Sequence, residues 1–289
     1  MELNIGREVE FDSDLLVGEF SFNPALYEWH GKTVLCYRRG RDRYSQLVVS
    51  ELGEALRPGS CRTLEVNCPS PFSSMEDPRF FVFRHELWLS FTYSGPQGVD
   101  PSVGIGPVDL QTPSCGDRPV RLRGQIGPEK NWIFFEHDET LFCQYRLNPS
   151  SVAAVVGDEI RLLWEGRGIS EWRYGEPRGG TNFVRIDDSF MISFFHSCTC
   201  RGTRRRREIR YYFGACVLER SFPFRILGYT REPIGIGVTK ERIGKHDKCV
   251  VYPCGAILRE KDLLVSLGHN DRMVRIVRLS LRDVLAAIR

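Results

Sequence analysis

A hairpin pattern that recurs five times constrains this 289-residue chain more than any other feature. Each copy has a polar or Gly/Pro-marked start, an apolar run, a short polar turn and a second apolar run that ends in polar residues. This is the pattern of a β-hairpin. The copies are 23–38 (NPALYEWHGKTVLCYR), 76–93 (EDPRFFVFRHELWLSFTY), 130–146 (KNWIFFEHDETLFCQYR), 179–196 (GGTNFVRIDDSFMISFFH) and 254–271 (CGAILREKDLLVSLGHND).

The spacing of the copies predicts the architecture. Hairpins that recur about every 50 residues are typical of β-propeller blades, each built from four short strands. We therefore predict an all-β fold, a single five-bladed β-propeller that spans residues 1–289 as one domain. A basic insertion at about 198–210 accounts for the longer spacing before the fifth hairpin. At the end of the chain, Ser280 is expected to cap a short C-terminal helix through Ile288.

Composition restricts the partners. With 42% hydrophobic residues, 27% charged residues and a net charge of +3, the chain has no charge excess that would indicate a nucleic-acid partner. No apolar run reaches about 18 residues, so we expect no membrane span. Residues 1–10 have no signal-peptide pattern, and the ten cysteines are scattered. Both features favour a cytoplasmic protein with reduced thiols.

Two local clusters near residue 200 allow more than one interpretation. Cys198, Cys200 and the nearby His196 resemble part of a metal site, but no second Cys/His pair at zinc spacing follows, and we predict no metal. The basic run 201–210 (RGTRRRREIR) could contact a nucleic acid, a membrane or an acidic glycan. It lacks interleaved aromatic residues, which favours a solvated loop. We therefore expect neither nucleic acid nor membrane as a partner.

Hairpin geometry brings the polar ends of the five segments together. The start of the first strand and the end of the second lie at the same end of a hairpin, so these residues should converge on one rim of the axial channel. They are Asn23, Arg38, Glu76, Asp77, Tyr93, Lys130, Asn131, Arg146, Arg178, Thr181, His196, His269, Asn270 and Asp271. Carboxylates, amides and cations together, without a nucleophile–base pair, indicate a carbohydrate-processing site.

Asp77 is the residue of this set that best suits a general acid. Glycosyl transfer needs a carboxyl group that protonates the departing oxygen. The following Pro78 favours an extended conformation at Asp77, which would aim its side chain into the channel. The alternative is structural: Glu76 and Asp77 would cap a strand and pair with Arg79.

Arg146, Arg178 and His196 are a candidate anion site. Arginine has forked donors that suit phosphate, and Gly179-Gly180 would let the backbone approach a ligand closely. Surface arginines beside a Gly-Gly turn are the alternative. The sequence contains no phosphate-binding loop, dinucleotide-binding fingerprint or serine nucleophile elbow.

Several short motifs resemble those of one known family. They are Phe22-Asn23-Pro24, Glu76-Asp77-Pro78-Arg79, Lys130-Asn131-Trp132, Tyr145-Arg146, Gly179-Gly180-Thr181, Phe195-His196 and Tyr252-Pro253-Cys254-Gly255. Their order is similar to that in glycoside hydrolase family 130, which comprises β-mannoside phosphorylases and hydrolases. That family is related to the mannosyltransferase-phosphorylases of glycosyltransferase family 108. The resemblance runs from about residue 23 to residue 271.

The resemblance implies a five-bladed propeller that acts by inversion on β-linked mannosides, with Asp77 as the proton donor acting through a substrate hydroxyl. It implies that the sugar is held by Asn23, Arg38 and Asp271. It also implies that inorganic phosphate, as co-substrate and in place of any cofactor, is held by Arg146, Arg178 and His196. From their place at the rim, we add as substrate-binding residues Glu76, Tyr93, Lys130 and Asn131, and with them Arg79 of the motif at 76–79.

Three functions remain open. The first is inverting phosphorolysis of β-mannosides or related β-glycosides, or the reverse synthesis, with an oligosaccharide or glycoside as partner. The second is sugar-nucleotide-dependent glycosyl transfer, and the third is a non-catalytic glycan-binding propeller. A hydrolase variant would need a second carboxylate about 6.5–9.5 Å from the acid, for which Glu136, Glu176 and Asp271 are candidates. The sequence carries no indication of oligomeric state.

Overall fold

The fold is described by a computed structural model that covers residues 20–41, 44–53, 55–96, 99–116, 120–121, 130–203, 206–237, 240–243 and 246–289. Within these residues the chain forms five β-sheets and a short C-terminal α-helix. The all-β prediction is therefore confirmed. Residues 1–10, in which the sequence shows no signal-peptide pattern, lie outside the described residues.

The first three sheets are four-stranded antiparallel meanders, in which strands adjacent in the chain are adjacent in space. The first contains β1 (Ser21–Trp29), β2 (Lys32–Arg41), β3 (Tyr44–Leu52) and β4 (Arg62–Thr63). The second contains β5 (Ser74–Phe83), β6 (Glu86–Ser94), β7 (Ser102–Pro107) and β8 (Val120–Arg121). The third contains β9 (Ile133–His137), β10 (Thr140–Leu147), β11 (Ser150–Val156) and β12 (Glu159–Gly166). In each sheet the first two strands form the hairpin that the sequence predicts.

The fourth sheet is larger and the fifth smaller. The fourth contains β13 (Arg178–Gly179), β14 (Val184–Arg185), β15 (Phe190–Thr203), β16 (Arg206–Glu219), β17 (Ile226–Tyr229), β18 (Gly235–Ile236), β19 (Glu241–Ile243) and β20 (His246–Cys249). The fifth contains β21 (Val251–Arg259), β22 (Asp262–His269) and β23 (Met273–Ser280). Helix α1 (Leu281–Ala287) follows, and the Ser280 side chain accepts a hydrogen bond from the Asp283 backbone N–H, which confirms the predicted cap.

The basic segment that the sequence predicts as a solvated loop is instead the outer part of a long hairpin. β15 and β16 pair without a register shift as far as Thr203 and Arg206, so the described part of 198–210 continues two strands. β20 adds a parallel neighbour, with Asp247 opposite Glu208. The loop prediction was wrong because ladder hydrogen bonds satisfy the backbone of a polar ribbon even where its side chains face solvent.

Each sheet packs against the next, and the fifth packs against the first. β1 contacts β5, β5 contacts β9, β10 contacts β13, β15 contacts β21, and β21 contacts β1. Alternate residues of one strand pack on different neighbours. On β2, Val34 and Cys36 share a core with the second sheet, whereas Leu35 and Tyr37 share one with the fifth. A strand buried on both faces requires this period of two.

Three first strands carry a bulge at the same end. The register shifts between residues 22 and 25 in β1, 76 and 79 in β5, and 253 and 255 in β21. In the first two bulges Asn23 and Asp77 have positive φ values of 51° and 53°, which asparagine and aspartate tolerate better than most residues. The predicted extended conformation of Asp77 before Pro78 is therefore wrong, because the bulge places this residue in the left-handed region. A bulge re-aims the side chain that it contains. Here the two side chains meet in a hydrogen bond.

Three further observations bear on the sequence predictions. Within the described residues, no helix is long and apolar enough to cross a bilayer. The cysteines of the chain have free thiols. Over the same part of the chain, no group of three or more His, Cys, Asp or Glu side chains is placed to hold a metal ion.

Candidate active site

The carboxylate of Asp77 lies where side chains from three sheets meet. Asp77 is 3% exposed. Its Oδ1 accepts a hydrogen bond of 2.7 Å from Asn23 Nδ2, and its Oδ2 accepts one of 3.2 Å from Lys130 Nζ. Arg38 Nη1 lies 3.6 Å from Oδ1. The structure therefore brings four of the predicted site residues together around one buried oxygen pair.

Glu76 shares the same two cations. Arg38 Nη2 lies 3.2 Å from Glu76 Oε1, and Lys130 Nζ lies 3.7 Å from Glu76 Oε2. The Arg38 guanidinium also lies over the Phe22 ring, 4.6 Å from its centroid. We call Asp77, Glu76, Arg38 and Lys130 the carboxylate cluster. Because its carboxylates share both cations, a change in either cation is felt by both carboxylates.

The surrounding cations keep Asp77 ionised. Burial alone would raise the pKa of this carboxyl group, but Lys130, Arg38 and Arg79 outweigh burial and hold the pKa well below its usual range. The charge of Asp77, in turn, raises the pKa of Lys130. At neutral pH, Asp77 in these surroundings has no proton to donate. A role as general acid therefore requires that its surroundings change when ligands bind.

Arg79 joins four sheets and uses its donors on the protein itself. It is buried, with 4% of its surface exposed. Its Nε donates to the Gly180 carbonyl at 2.5 Å, and its Nη1 donates to the Asp77 carbonyl at 3.0 Å. Its Nη2 lies 3.1 Å from Asn131 Oδ1 and 3.0 Å from the Tyr252 hydroxyl. The structure does not support the predicted contact between Arg79 and a substrate, because these acceptors already engage the guanidinium.

Tyr252 is a site residue that the sequence analysis did not single out. Its hydroxyl donates to Asn131 Oδ1 at 2.5 Å and lies 3.4 Å from Asp77 Oδ2. Its ring centroid is 4.3 Å from that of His196. The motif at 252–255 was a signal for this region, but only the packing of the fifth sheet against the second shows that the hydroxyl reaches Asp77.

His196 is buried next to Tyr252. Burial, followed by the charges of Arg79 and Arg178, holds the pKa of His196 well below its usual value, so the imidazole is neutral at neutral pH. Nδ1 is shielded from solvent and has no hydrogen-bond partner among the residues that the structure describes. A neutral imidazole offers a ligand one donor and one acceptor. Arg178 lies opposite His196 in the pairing of β13 with β15, which places the two predicted phosphate-binding residues side by side.

A cavity of about 450 Å³ opens beside the carboxylate cluster. Lys130 and Asn131 line it, together with Arg146, Arg178 and Glu176. Three cations against one carboxylate favour an anionic ligand. Two of the three predicted phosphate-binding residues therefore face one cavity, and the third, His196, lies beside it in the sheet.

Two other predicted substrate-binding residues have partners outside the carboxylate cluster. Tyr93 is fully buried in the core, where its ring stacks on Phe72 and its hydroxyl donates to the Asn67 carbonyl at 3.4 Å. The structure does not support a substrate contact for Tyr93, because side chains alternate along a strand and this one points into the core. Asp271 is half-buried and pairs with Lys248 at 3.4 Å. Among the described contacts, none joins Asp271 to Asp77.

One of the three carboxylates considered as a hydrolytic base lines the cavity. Glu136 lines a separate cavity of about 230 Å³ near the turn between β9 and β10, and it accepts a hydrogen bond of 2.6 Å from the Arg84 backbone N–H. Asp271 forms an ion pair with Lys248. Glu176 alone of the three shares the cavity of Lys130.

Comparison with known proteins gives a result for structure and not for sequence. No protein-family model and no curated protein matches the chain. The structure is similar to a β-1,2-mannobiose phosphorylase from Listeria innocua, with a TM-score of 0.64 and 16% identity over 92% of this chain and 91% of that one. It is also similar to a mannose phosphorylase from Leishmania mexicana in complex with phosphate ion, with a TM-score of 0.58 and 14% identity over 91% and 84% of the two chains.

A third similar structure comes from work on glycoside hydrolases of family 130 that target β-1,2-mannosidic linkages in Candida mannan. Its TM-score is 0.65, with 14% identity over 92% of this chain and 85% of that one. The chain therefore has the fold of glycoside hydrolase family 130 proteins. The resemblance seen in the sequence motifs is confirmed at the level of the fold.

Proposed function

We propose that this protein is a carbohydrate-active enzyme that cleaves β-mannosides or related β-glycosides by inverting phosphorolysis. The position of Asp77 carries the proposal: it is a carboxyl group among amide and cationic side chains, beside a cavity that Arg146 and Arg178 line. Two structures of similar fold are a mannobiose phosphorylase and a mannose phosphorylase in complex with phosphate ion.

We infer that the five sheets are the blades of one five-bladed β-propeller. The series of contacts from the first sheet to the fifth and back to the first supports this arrangement. So do the bulges in β1, β5 and β21, which share one end of their strands. In such a domain the site would lie at one mouth of the central axis, where every blade contributes.

In the proposed reaction, a phosphate oxygen attacks the anomeric carbon on the face opposite the glycosidic oxygen. The β-glycosidic bond breaks, and the proton of Asp77 reaches the departing oxygen through a sugar hydroxyl. The products are an α-sugar 1-phosphate and a saccharide shortened by one unit. Because phosphate is itself a nucleophile, the reaction needs no second carboxylate as base.

The remaining residues have roles that follow from their positions. Arg146, Arg178 and His196 would hold the phosphate, since they line or adjoin the cavity. The sugar would bind against the carboxylate cluster, where Arg38 and Asn23 offer donors and Glu76 offers an acceptor. Carboxylates and amides pair well with adjacent hydroxyl groups.

Hydrolysis is the second candidate, favoured by a single observation. Glu176 lines the cavity and is exposed to solvent within it, so it could activate a water where phosphorolysis would place phosphate. An inverting hydrolase requires such a carboxylate opposite the acid. The three cations that line the same cavity favour phosphate over water as the occupant, which is why phosphorolysis ranks first.

The test is incubation of the purified protein with β-manno-oligosaccharides, with and without inorganic phosphate, followed by NMR. We expect an α-anomeric sugar 1-phosphate only when phosphate is present. Glu176→Gln is the matched variant, since it removes the carboxylate that would act as the base in hydrolysis and leaves the cations of the cavity in place.

Free sugar in both tubes, abolished by Glu176→Gln, would replace phosphorolysis with hydrolysis. No product in either tube would contradict both reactions on β-mannosides. Titration with sugar nucleotides would then separate glycosyl transfer from a glycan-binding domain.

A further inference from the structure

Lys130 contacts the carboxylate cluster and also lines the cavity beside it. Its Nζ lies 3.2 Å from Asp77 Oδ2 and 3.7 Å from Glu76 Oε2, and its side chain also lines the cavity with Arg146 and Arg178. The Lys130 side chain is 34% exposed, against 3% for Asp77. The lysine therefore has room to change partners, whereas the carboxylate does not.

The other cations near Asp77 are fixed. Arg79 is held by acceptors from four sheets. Arg38 is held by Glu76, by Ser45 Oγ at 3.3 Å and by the Phe22 ring. Lys130 is thus the cation near Asp77 that can leave it.

We propose that Lys130 couples anion binding to the protonation of Asp77: an anion in the cavity draws the Lys130 ammonium group away, and Asp77 then takes up the proton that it donates in the reaction. The inference rests on the proposed function, since the anion and the acid are those of phosphorolysis. The step moves one ammonium group and forms one O–H bond on the Asp77 carboxylate, with the proton taken from solvent.

Among the charges around Asp77, that of Lys130 has the greatest influence on its protonation. The charged and titratable groups that act on Asp77 or feel its charge come from β2, β5, the segment that leads into β9, β15, β16 and β21. They are Arg38, Glu76, Arg79, Lys130, His196, Tyr211, Tyr252 and Cys254. Among the cations that lower the pKa of Asp77, Lys130 has the largest effect. Its removal and the arrival of a negative charge both act in the same direction, which raises the pKa of a buried carboxyl group.

This coupling has a consequence for the reaction. While the cavity is empty, Asp77 is ionised and cannot protonate a departing sugar, so water has no acid to assist it. Once phosphate has bound, nucleophile and acid are present together. The lysine would thereby favour phosphorolysis over wasteful hydrolysis without any group that excludes water.

The coupling is measurable as proton uptake. We would titrate the protein with sulfate by calorimetry at about pH 5.5 in two buffers that differ in ionisation enthalpy, because sulfate is a tetrahedral oxyanion like phosphate but does not itself titrate there. We expect uptake of roughly half a proton or more for each sulfate bound. Asp77→Asn should abolish this uptake while sulfate still binds.

Variants of the cavity cations separate the lysine from its neighbours. Lys130→Gln should lose most of the uptake, and Lys130→Arg, which keeps a cation, should restore part of it. Arg178→Gln is the matched control. It removes a cation that lines the same cavity without contacting Asp77, so sulfate should bind more weakly with the same number of protons per anion.

Two results would overturn the inference and leave phosphorolysis standing. One is sulfate binding without proton uptake in the unmodified protein. The other is uptake that persists in Asp77→Asn but disappears in His196→Gln, which would assign the proton to the imidazole. Failure of sulfate to bind at all would remove the anion site, and with it both the inference and its basis.

Discussion

Two of the hairpins formed by the first two strands of a sheet have an aspartate with positive φ, at opposite ends, and the two aspartates differ in burial and in role. At the turn end, Asp138 has a φ of 46° and a side chain that is 90% exposed. At the site end, Asp77 has a φ of 53° and is buried. In the turn the positive φ serves only to close a hairpin, whereas in the bulge it aims a carboxylate at two cations. The local backbone does not decide the role of such a residue, which depends on what the neighbouring sheets place opposite it.

The largest expected difference between the two ends is in catalysis. Asp77→Asn should reduce phosphorolysis by about 10²–10⁴-fold, because it removes the proton donor while keeping the shape of the side chain. Asp138→Asn makes the same chemical change at the turn end and should leave activity unchanged. Steady-state rates with β-manno-oligosaccharides and phosphate measure both. Equal rates for Asp77→Asn and the unmodified protein would remove Asp77 from the mechanism.

The next difference is in stability. Arg79→Met should lower the free energy of unfolding by about 3–5 kcal/mol, because acceptors from four sheets lose a buried charged donor. Arg84→Met at the exposed turn end loses a contact with the Phe83 ring, so its cost should stay within about 1 kcal/mol. Urea denaturation measures both values. A similar loss of unfolding free energy in the two variants would show that the buried contacts of Arg79 do not stabilise the fold more than the exposed contact of Arg84.

The ends should also differ in their response to acid. The pKa of Asp77 is lower in the folded protein than in the unfolded chain. Its charge therefore adds stability above the unfolded pKa of about 4, and this stability is lost as the pH falls below that value. Asp77→Asn should flatten the acid side of the curve of melting temperature against pH, and Asp138→Asn should not. Parallel curves for all three proteins would contradict the assignment.

The smallest effect concerns Glu136. Its carboxylate accepts a hydrogen bond from the Arg84 backbone, so Glu136→Gln should cost about 0.5–1.5 kcal/mol of unfolding free energy. Since it lines the other cavity, it should not change the rate of phosphorolysis. A fall in rate without a fall in stability would connect the two ends of the strands in function.

The hairpins and the site end could be predicted from sequence because both rest on local patterns. Apolar runs around polar turns define the strands. The bulges were not predicted, since Pro78 was expected to hold Asp77 in an extended conformation and its φ is 53° instead. Tyr93 could not be placed in this way. Its position at the end of a hairpin was visible, but the face on which it lies depends on register with β7 and on the core beyond.

Contacts between distant residues explain the rest. Nothing near Arg79 in sequence shows that its acceptors lie on four sheets, and nothing near Tyr252 shows that its hydroxyl reaches Asn131. The outer part of the β15–β16 hairpin was missed because its polar composition is typical of a loop. Its pairing depends on both strands together and cannot be recognised from the sequence of either one. Packing and pairing, which span the chain, decided these cases.

The contacts of Tyr252 also impose an order in time. Its hydroxyl meets Asn131 and Arg79 across separations of 121 and 173 residues. On the ribosome, the strands that hold Asp77 would emerge long before the fifth sheet exists, and contacts of such high order form slowly. The charge of Arg79 would therefore lack one of its partners until the fifth sheet has been synthesised. The network around Asp77 would be completed only when that sheet docks.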